Sequence, residues 1–158
     1  MRFTIARENF LEPLQLAGGV AERRQTSPIL ANLLLNLEED RLVITGTDQE
    51  VELSVVITDL VVGTPGEVTV PARKLLDICK SLPEGAGMSA NLEGKRVAVD
   101  SGRFNSFLAT LPVSEFPNIQ TNAYDVSIEL PVQDLKRLLK RTSFAMAQQD
   151  VRYFFNGV

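Results

Sequence analysis

Gln148, Gln149, Arg152 and Tyr153 fall within six residues of one another near the C-terminus. Amide, guanidinium and phenol groups donate hydrogen bonds to phosphate oxygens, and an aromatic ring stacks on unpaired bases. Just upstream, Lys136, Arg137, Lys140 and Arg141 stand at i, i+1, i+4 and i+5, a spacing that gathers four positive charges on the outer face of a helix. Residue type and spacing together point to a polyanion held through its backbone. The same stretch has a plainer reading as a helix leaving into a half-buried strand, with Gln and Arg solvated and Tyr153, Phe154 and Phe155 in a core.

Other chemistries find fewer parts. The chain contains no histidine and one cysteine, Cys79, so the usual zinc sites, a Ser-His-Asp triad and a Cys-His pair are excluded within it. Cys79 sits in an apolar helical pattern with Leu75, Leu76 and Ile78 and reads as a small buried thiol. Asp48, Glu50 and Glu52 are the best carboxylates for a metal-dependent nuclease-type enzyme, but they are expected to alternate along a strand as a solvated row. No cofactor is expected.

The formal net charge of −4 over 158 residues argues against nucleic acid only if charge is spread evenly. It is not: residues 124–158 carry five basic and four acidic side chains, while the rest of the chain is acidic. The N-terminal residues lack the apolar run of a signal peptide, and no window has the length of a membrane span, so a cytoplasmic protein without membrane contact is expected.

The positioning elements follow from periodicity. Phe3-Thr4-Ile5 alternates as a strand, and Phe10, Leu11, Leu14 and Ala17 mark a short helix, with Asn9 as its cap, Pro13 in its first turns and Gly18-Gly19 as its stop. Strands are predicted at Ile29 to Leu37, Leu42 to Thr45, Val51 to Ile57 and Glu67 to Pro71, with Gly63 to Gly66 as a turn. A helix follows over Ala72 to Ser81, with Arg73, Lys74 and Lys80 outside. Strands at Met88 to Leu92, Val97 to Val99 and Ser106 to Leu111 complete an α+β domain. Glu115 to Asn122 reads as a linker, after which Val126 to Leu130 is a strand and Leu135, Leu138 and Leu139 line the inner face of a helix.

Shifting the chain by 125 residues places Phe3 on Ile128, Ile5 on Leu130, Phe10 on Leu135, Leu14 on Leu139, Ile29 on Phe154 and Leu30 on Phe155, without a gap. The pattern is an internal repeat, predicting a first domain over 1–122 and the start of a second over 123–158. The loop with Arg23 and Arg24 then overlies the loop with Gln148 and Gln149, and helices with outer Arg and Lys recur as one basic surface.

Several motifs resemble one family throughout the chain. They are Met1-Arg2-Phe3-Thr4-Ile5, Thr26-Ser27-Pro28-Ile29-Leu30-Ala31-Asn32, Thr45-Gly46-Thr47-Asp48-Gln49-Glu50, Val70-Pro71-Ala72-Arg73-Lys74, Thr110-Leu111-Pro112 with Phe116-Pro117, and Gln149-Asp150-Val151-Arg152-Tyr153. They resemble the bacterial DNA polymerase III beta subunit, the sliding clamp. The resemblance implies repeated domains of short helices packed on antiparallel sheets, three to a subunit, closed head to tail as a homodimeric ring around duplex DNA. It implies a non-catalytic processivity subunit whose partners are double-stranded DNA, the polymerase III catalytic subunit and the clamp loader.

By position, the resemblance implies DNA contact at Arg24 and Gln149, with Gln148, Arg152 and Tyr153 beside them. Arg73, Lys136, Arg137, Lys140 and Arg141 would line the hole. Arg152, Phe154 and Phe155 would edge the pocket for partner peptides, and Lys74, Arg103, Ser106 and Leu108 would lie at the subunit interface. The chain departs from the family where it reads Arg103-Phe104-Asn105-Ser106, since the family usually has a second arginine and then Phe, and where Phe155 replaces Leu. The alternatives are an isolated clamp-derived interaction module that cannot close a ring, and the carboxylate-metal enzyme.

Overall fold

The computed structural model describes residues 1–21, 27–117, 128–147 and 150–157. The chain divides into two compact units, Met1–Gln120 and Thr121–Val158.

In the first unit the strands are β1 (Arg2–Ala6), β2 (Asn32–Leu37), β3 (Leu42–Thr47), β4 (Glu52–Ile57), β5 (Val61–Thr64), β6 (Gly66–Pro71), β7 (Gly87–Glu93), β8 (Arg96–Ser101) and β9 (Phe104–Ala109). Two helices, α1 (Arg7–Val20) and α2 (Ala72–Ser81), interrupt them. The strands form an antiparallel five-stranded sheet, ordered β5-β1-β7-β8-β9, and an antiparallel four-stranded sheet, ordered β4-β3-β2-β6. Two hairpins turn on glycines at left-handed φ, Gly94 at 62° and Gly102 at 58°, where a side chain would strain the turn.

Alternation along each strand sends one face inward. Leu33, Leu35 and Leu37 of β2, Leu42 and Ile44 of β3, Val68 and Val70 of β6, and Phe3 and Ile5 of β1 are buried together with Met88, Val97, Val99 and Leu108. Phe10, Leu14 and Ala17 of α1 and Leu75 and Cys79 of α2 close the same core. Each large side chain so buried stabilises the fold by about 1.5–3 kcal/mol before conformational entropy is counted. Phe3 and Phe10 meet edge to face, 5.9 Å between ring centres, and fix the start of α1 on β1.

Several local expectations change. α1 begins at Arg7, not Asn9, because the Arg7 N–H is taken by the carbonyl of Ala86 and the Asn9 amide donates to Asp59 Oδ2 at 2.7 Å instead of capping. It also continues through Gly18 and Gly19 to Val20, so Pro13 is the seventh helical residue. Ala17, held against the sheet, keeps the helix going past two poor helix formers. Residues Gly63 and Thr64 belong to β5, which pairs with β1.

The run from Ile29 is not all strand. Pro28–Ala31 is a 3₁₀ turn that buries Ile29 and Leu30 against Phe116, so Phe116 is a core residue and not part of an exposed linker. Asn32 and Thr69 lie buried beside this cluster and satisfy each other: Asn32 Nδ2 donates to Thr69 Oγ1, which donates to the Leu111 carbonyl and accepts the Leu111 N–H. The buried polar side chains of Asn32 and Thr69 are thereby paired.

The second unit contains α3 (Val132–Thr142), a 3₁₀ turn at Ser143–Ala145 and another at Tyr153–Asn156. The repeat is visible in the elements: α1 and α3 begin 125 residues apart, and so do the 3₁₀ turns Pro28–Ala31 and Tyr153–Asn156. The expected strand around Tyr153 is therefore a 3₁₀ turn, as its counterpart is. Of the strand expected at 126–130, the described residues 128–130 form no strand. Leu135, Leu138 and Leu139 share one side of α3 and are 44–50% exposed.

Candidate nucleic-acid interface

α2 follows β6 directly, so the sheet fixes its direction. Ala72, Leu75 and Cys79 face the core and leave Arg73, Lys74, Asp77 and Lys80 in solvent. The contact with α1 is pinned at one point, where Arg7 Nε donates to the Cys79 carbonyl at 3.1 Å and Cys79 Sγ donates to the Arg7 carbonyl at 3.8 Å. Burial pushes the Cys79 thiol above its ordinary range, so it stays a packing group and not a nucleophile. α1 itself presents Glu8, Glu12 and Gln15, so its outer face is not basic. The recurrence of outward cations holds for α2 and α3, not for α1.

On α3, Lys136, Arg137, Lys140 and Arg141 are all exposed and span an arc of about 140° at 100° per residue, opposite the leucines. Asp134 in the first turn and Lys140 and Arg141 in the last complement the helix dipole. Arg137 Nη2 lies 3.1 Å from Asp134 Oδ1. On α2 the corresponding pair, Arg73 with Asp77, is looser at 3.9 Å.

Beyond α3, Asp150 to Asn156 closes on itself. The Asp150 N–H donates to Asn156 Oδ1, the Asn156 amide donates back to the Asp150 carbonyl, both at 3.0 Å, and the Ala147 N–H donates to the Phe155 carbonyl. Within that closure Arg152 donates from Nε and Nη2 to the two Asp150 carboxylate oxygens, at 3.1 and 3.0 Å. Its guanidinium lies 4.5 Å from the centre of the Phe155 ring, and Phe155 touches Phe154 in a tilted stack. The Arg152 side chain and N–H hold the Asp150 carboxyl below the ordinary aspartate range. Arg152, Phe154 and Phe155 are thus brought together at an exposed edge. Arg24, Gln148 and Gln149 lie outside the described residues, as does the side chain of Tyr153.

The residues assigned to a subunit interface do not share one face. Arg103 is exposed in the β8–β9 turn and Lys74 on α2, whereas Ser106 is half-buried and Leu108 is 3% exposed inside this chain's own core. Phe104, Ser106 and Leu108 are the inward set on β9. The outward set includes Phe107, on the edge strand of the five-stranded sheet, with the Arg96 guanidinium 4.1 Å from its ring centre. Period-two alternation counted from Leu108 places Phe107 on the outward face.

The carboxylates take a different place from the one expected. Asp48 is not in a strand but in the β3–β4 turn, where its Oδ1 accepts the N–H groups of Glu50 and Val51 and Gln49 takes a φ of 77°. Among the described residues no group of three or more His, Cys, Asp or Glu side chains is gathered to hold a metal ion, and no helix is long and apolar enough to cross a membrane.

Residues 1–120 match the family described as DNA polymerase III beta subunit, N-terminal domain. The beta sliding clamp of Pseudomonas aeruginosa is 51% identical over 160 residues, which cover 100% of this chain and 43% of that protein. That of Escherichia coli K12 is 47% identical over 158 residues, with 100% and 43% covered. Among solved structures, DNA polymerase III subunit beta from P. aeruginosa aligns with a TM-score of 0.95 and 48% identity over 99% of this chain and 43% of that one. Caulobacter crescentus pol III beta aligns with a TM-score of 0.94 and 35% identity over 99% and 42%. The chain spans less than half the length of these relatives.

Proposed function

The chain belongs to the DNA polymerase III beta subunit family, and from that membership we propose that it supplies the first domain, and the start of the second, of a sliding clamp. In this reading the clamp is a head-to-tail dimeric ring that encircles duplex DNA and tethers the replicative polymerase. It catalyses nothing itself, works in the cytoplasm, and takes the polymerase catalytic subunit and the clamp loader as partners.

The observation that carries the reading is the segregation of charge on the helices. α2 and α3 turn their apolar residues to one side and set Arg73, Lys74 and Lys80, or Lys136, Arg137, Lys140 and Arg141, in solvent. Basic side chains spread along the exposed face of a regular helix can meet phosphates without reading bases. Such contact suits a ring, whose retention comes from topology and whose affinity need only be modest. Arg24 and Gln149 would add phosphate contacts from the two repeated loops, and Arg152, Phe154 and Phe155 would edge the partner-peptide pocket. Lys74, Arg103 and the β9 edge would lie toward a second subunit.

Replacing Arg24 and Gln149 together by Ala tests the assignment of the loops. The double variant is expected to bind two unrelated duplexes more weakly by the same factor. Unchanged binding at low salt would remove both residues from the interface.

A further inference from the structure

Each basic segment carries an arginine with a carboxylate beside it, in close contact on α3 and in the closed turn and 3.9 Å away on α2. On α2 the pair is Arg73 with Asp77, on α3 Arg137 with Asp134, and in the closed turn Arg152 with Asp150. Lys74, Lys80, Lys136, Lys140 and Arg141, by contrast, have no ion-pair partner within 4.0 Å among the described residues. Position alone does not set the division, since Arg137 and Lys136 are neighbours on one helix and only Arg137 is engaged, while Arg141 is not.

Resting on the DNA-binding reading above, we propose that Asp77, Asp134 and Asp150 are positioning residues that keep Arg73, Arg137 and Arg152 from gripping phosphate. Duplex DNA then meets the lysines and Arg141. The guanidinium is a rigid fork that matches two phosphate oxygens, whereas the lysine ammonium is a hydrated point charge on a flexible stem. A fork that locks onto one phosphate must be released before the ring moves by a base pair. A set of mobile ammonium groups exchanges phosphates with less cost per step. The carboxylate both occupies the fork and repels the approaching phosphate.

The strength of occupation differs. Arg152 is held most firmly, by two side-chain bonds, by its own N–H at 2.9 Å and by the Phe155 ring. Arg137 has one close contact and Arg73 only a distant one. Because all these pairs are open to water, each is worth little in isolation, and freeing one arginine is expected to tighten DNA binding by roughly two- to fivefold.

The test is a salt series of fluorescence anisotropy with a short labelled duplex and the 158-residue chain. The proteins are the wild type, Asp134→Asn, Asp150→Asn and the conservative Asp134→Glu, with Asp40→Asn as a control for net charge. Asp40 lies in the β2–β3 turn, at the far end of β2 from its pairing with Pro71 beside α2, about 20 Å along the strand. Asp134→Asn changes a half-exposed helical position, and circular dichroism verifies that it folds. The expected result is tighter binding by each Asp→Asn variant at low salt, a log–log salt slope steeper by up to about 0.9 per freed arginine, and wild-type behaviour for Asp134→Glu and Asp40→Asn. Unchanged or weaker binding by either Asp→Asn variant, or equal tightening by Asp40→Asn, overturns the proposal while leaving DNA binding in place. Absence of any wild-type binding at low salt overturns the DNA reading and this proposal together.

Discussion

Gly46 of β3 lies directly beneath the backbone of Ala17 in α1. A Cβ placed on Gly46 would collide with the Ala17 carbonyl oxygen and come within 3.1 Å of Leu33 Cδ2. The neighbour is helix backbone, so it cannot turn aside as the end of a long side chain would. Gly46 thus sets how closely α1 sits on the four-stranded sheet, and through α1 it sets the seat of α2.

Gly46→Ala is therefore expected to destabilise the first unit by about 3 kcal/mol, the upper part of the usual range for overpacking. Urea unfolding followed by circular dichroism measures it. A loss below about 1 kcal/mol would mean that α1 shifts freely on the sheet.

Thr69→Val keeps shape and volume but removes the hydroxyl that Asn32 and Leu111 share. The Leu111 N–H and the Asn32 amide lose their partner in a buried place, which costs about 1–3 kcal/mol. Thermal unfolding of the variant beside Thr69→Ser, which retains the hydroxyl, separates this effect from packing.

Glu8 gives a pH dependence of known sign. Its carboxylate accepts the Gly85 N–H at 2.9 Å and lies beside Arg7, and the Gly85 bond is the main reason its pKa falls below the ordinary 4.5. A group whose pKa is lowered on folding adds stability above its unfolded value and loses it as pH falls through the folded one. The stability difference between wild type and Glu8→Gln is expected to be full above pH 4.5 and to shrink below it. A difference independent of pH would show that the carboxylate charge plays no part.

Lys140 and Arg141 have no ion-pair partner among the described residues and are expected to act additively on DNA. Replacing both with Ala should reduce the log–log salt slope by up to about 1.8, since each phosphate contact contributes about 0.9. Anisotropy at stepped salt checks this, and an unchanged slope would place α3 away from the duplex.

Much of this was legible in the residues themselves. Alternating Leu33, Leu35 and Leu37 and the helical spacing of Leu75, Leu76 and Cys79 define β2 and α2, because burial on one face imposes those periods. The 125-residue offset was legible as well, and α1 and α3 begin at that spacing. What misled was local chemistry overruled by tertiary contact. Asn9 resembles a cap but bonds Asp59, Gly18 and Gly19 resemble a stop but ride on a packed helix, and Ile29 and Leu30 resemble a strand but turn to cover Phe116. The ion pairs of Arg137 and Arg152 depend on rotamers, which spacing alone does not specify.

The central claim is that DNA is held through its phosphates without regard to sequence. The most direct test measures the affinity of the chain for two duplexes of equal length and unrelated sequence across a range of salt. Equal affinities at each salt concentration, falling linearly on a log–log scale, are the predicted result. A preference of more than about tenfold for one sequence, some 1.4 kcal/mol, or binding indifferent to salt, would contradict the account.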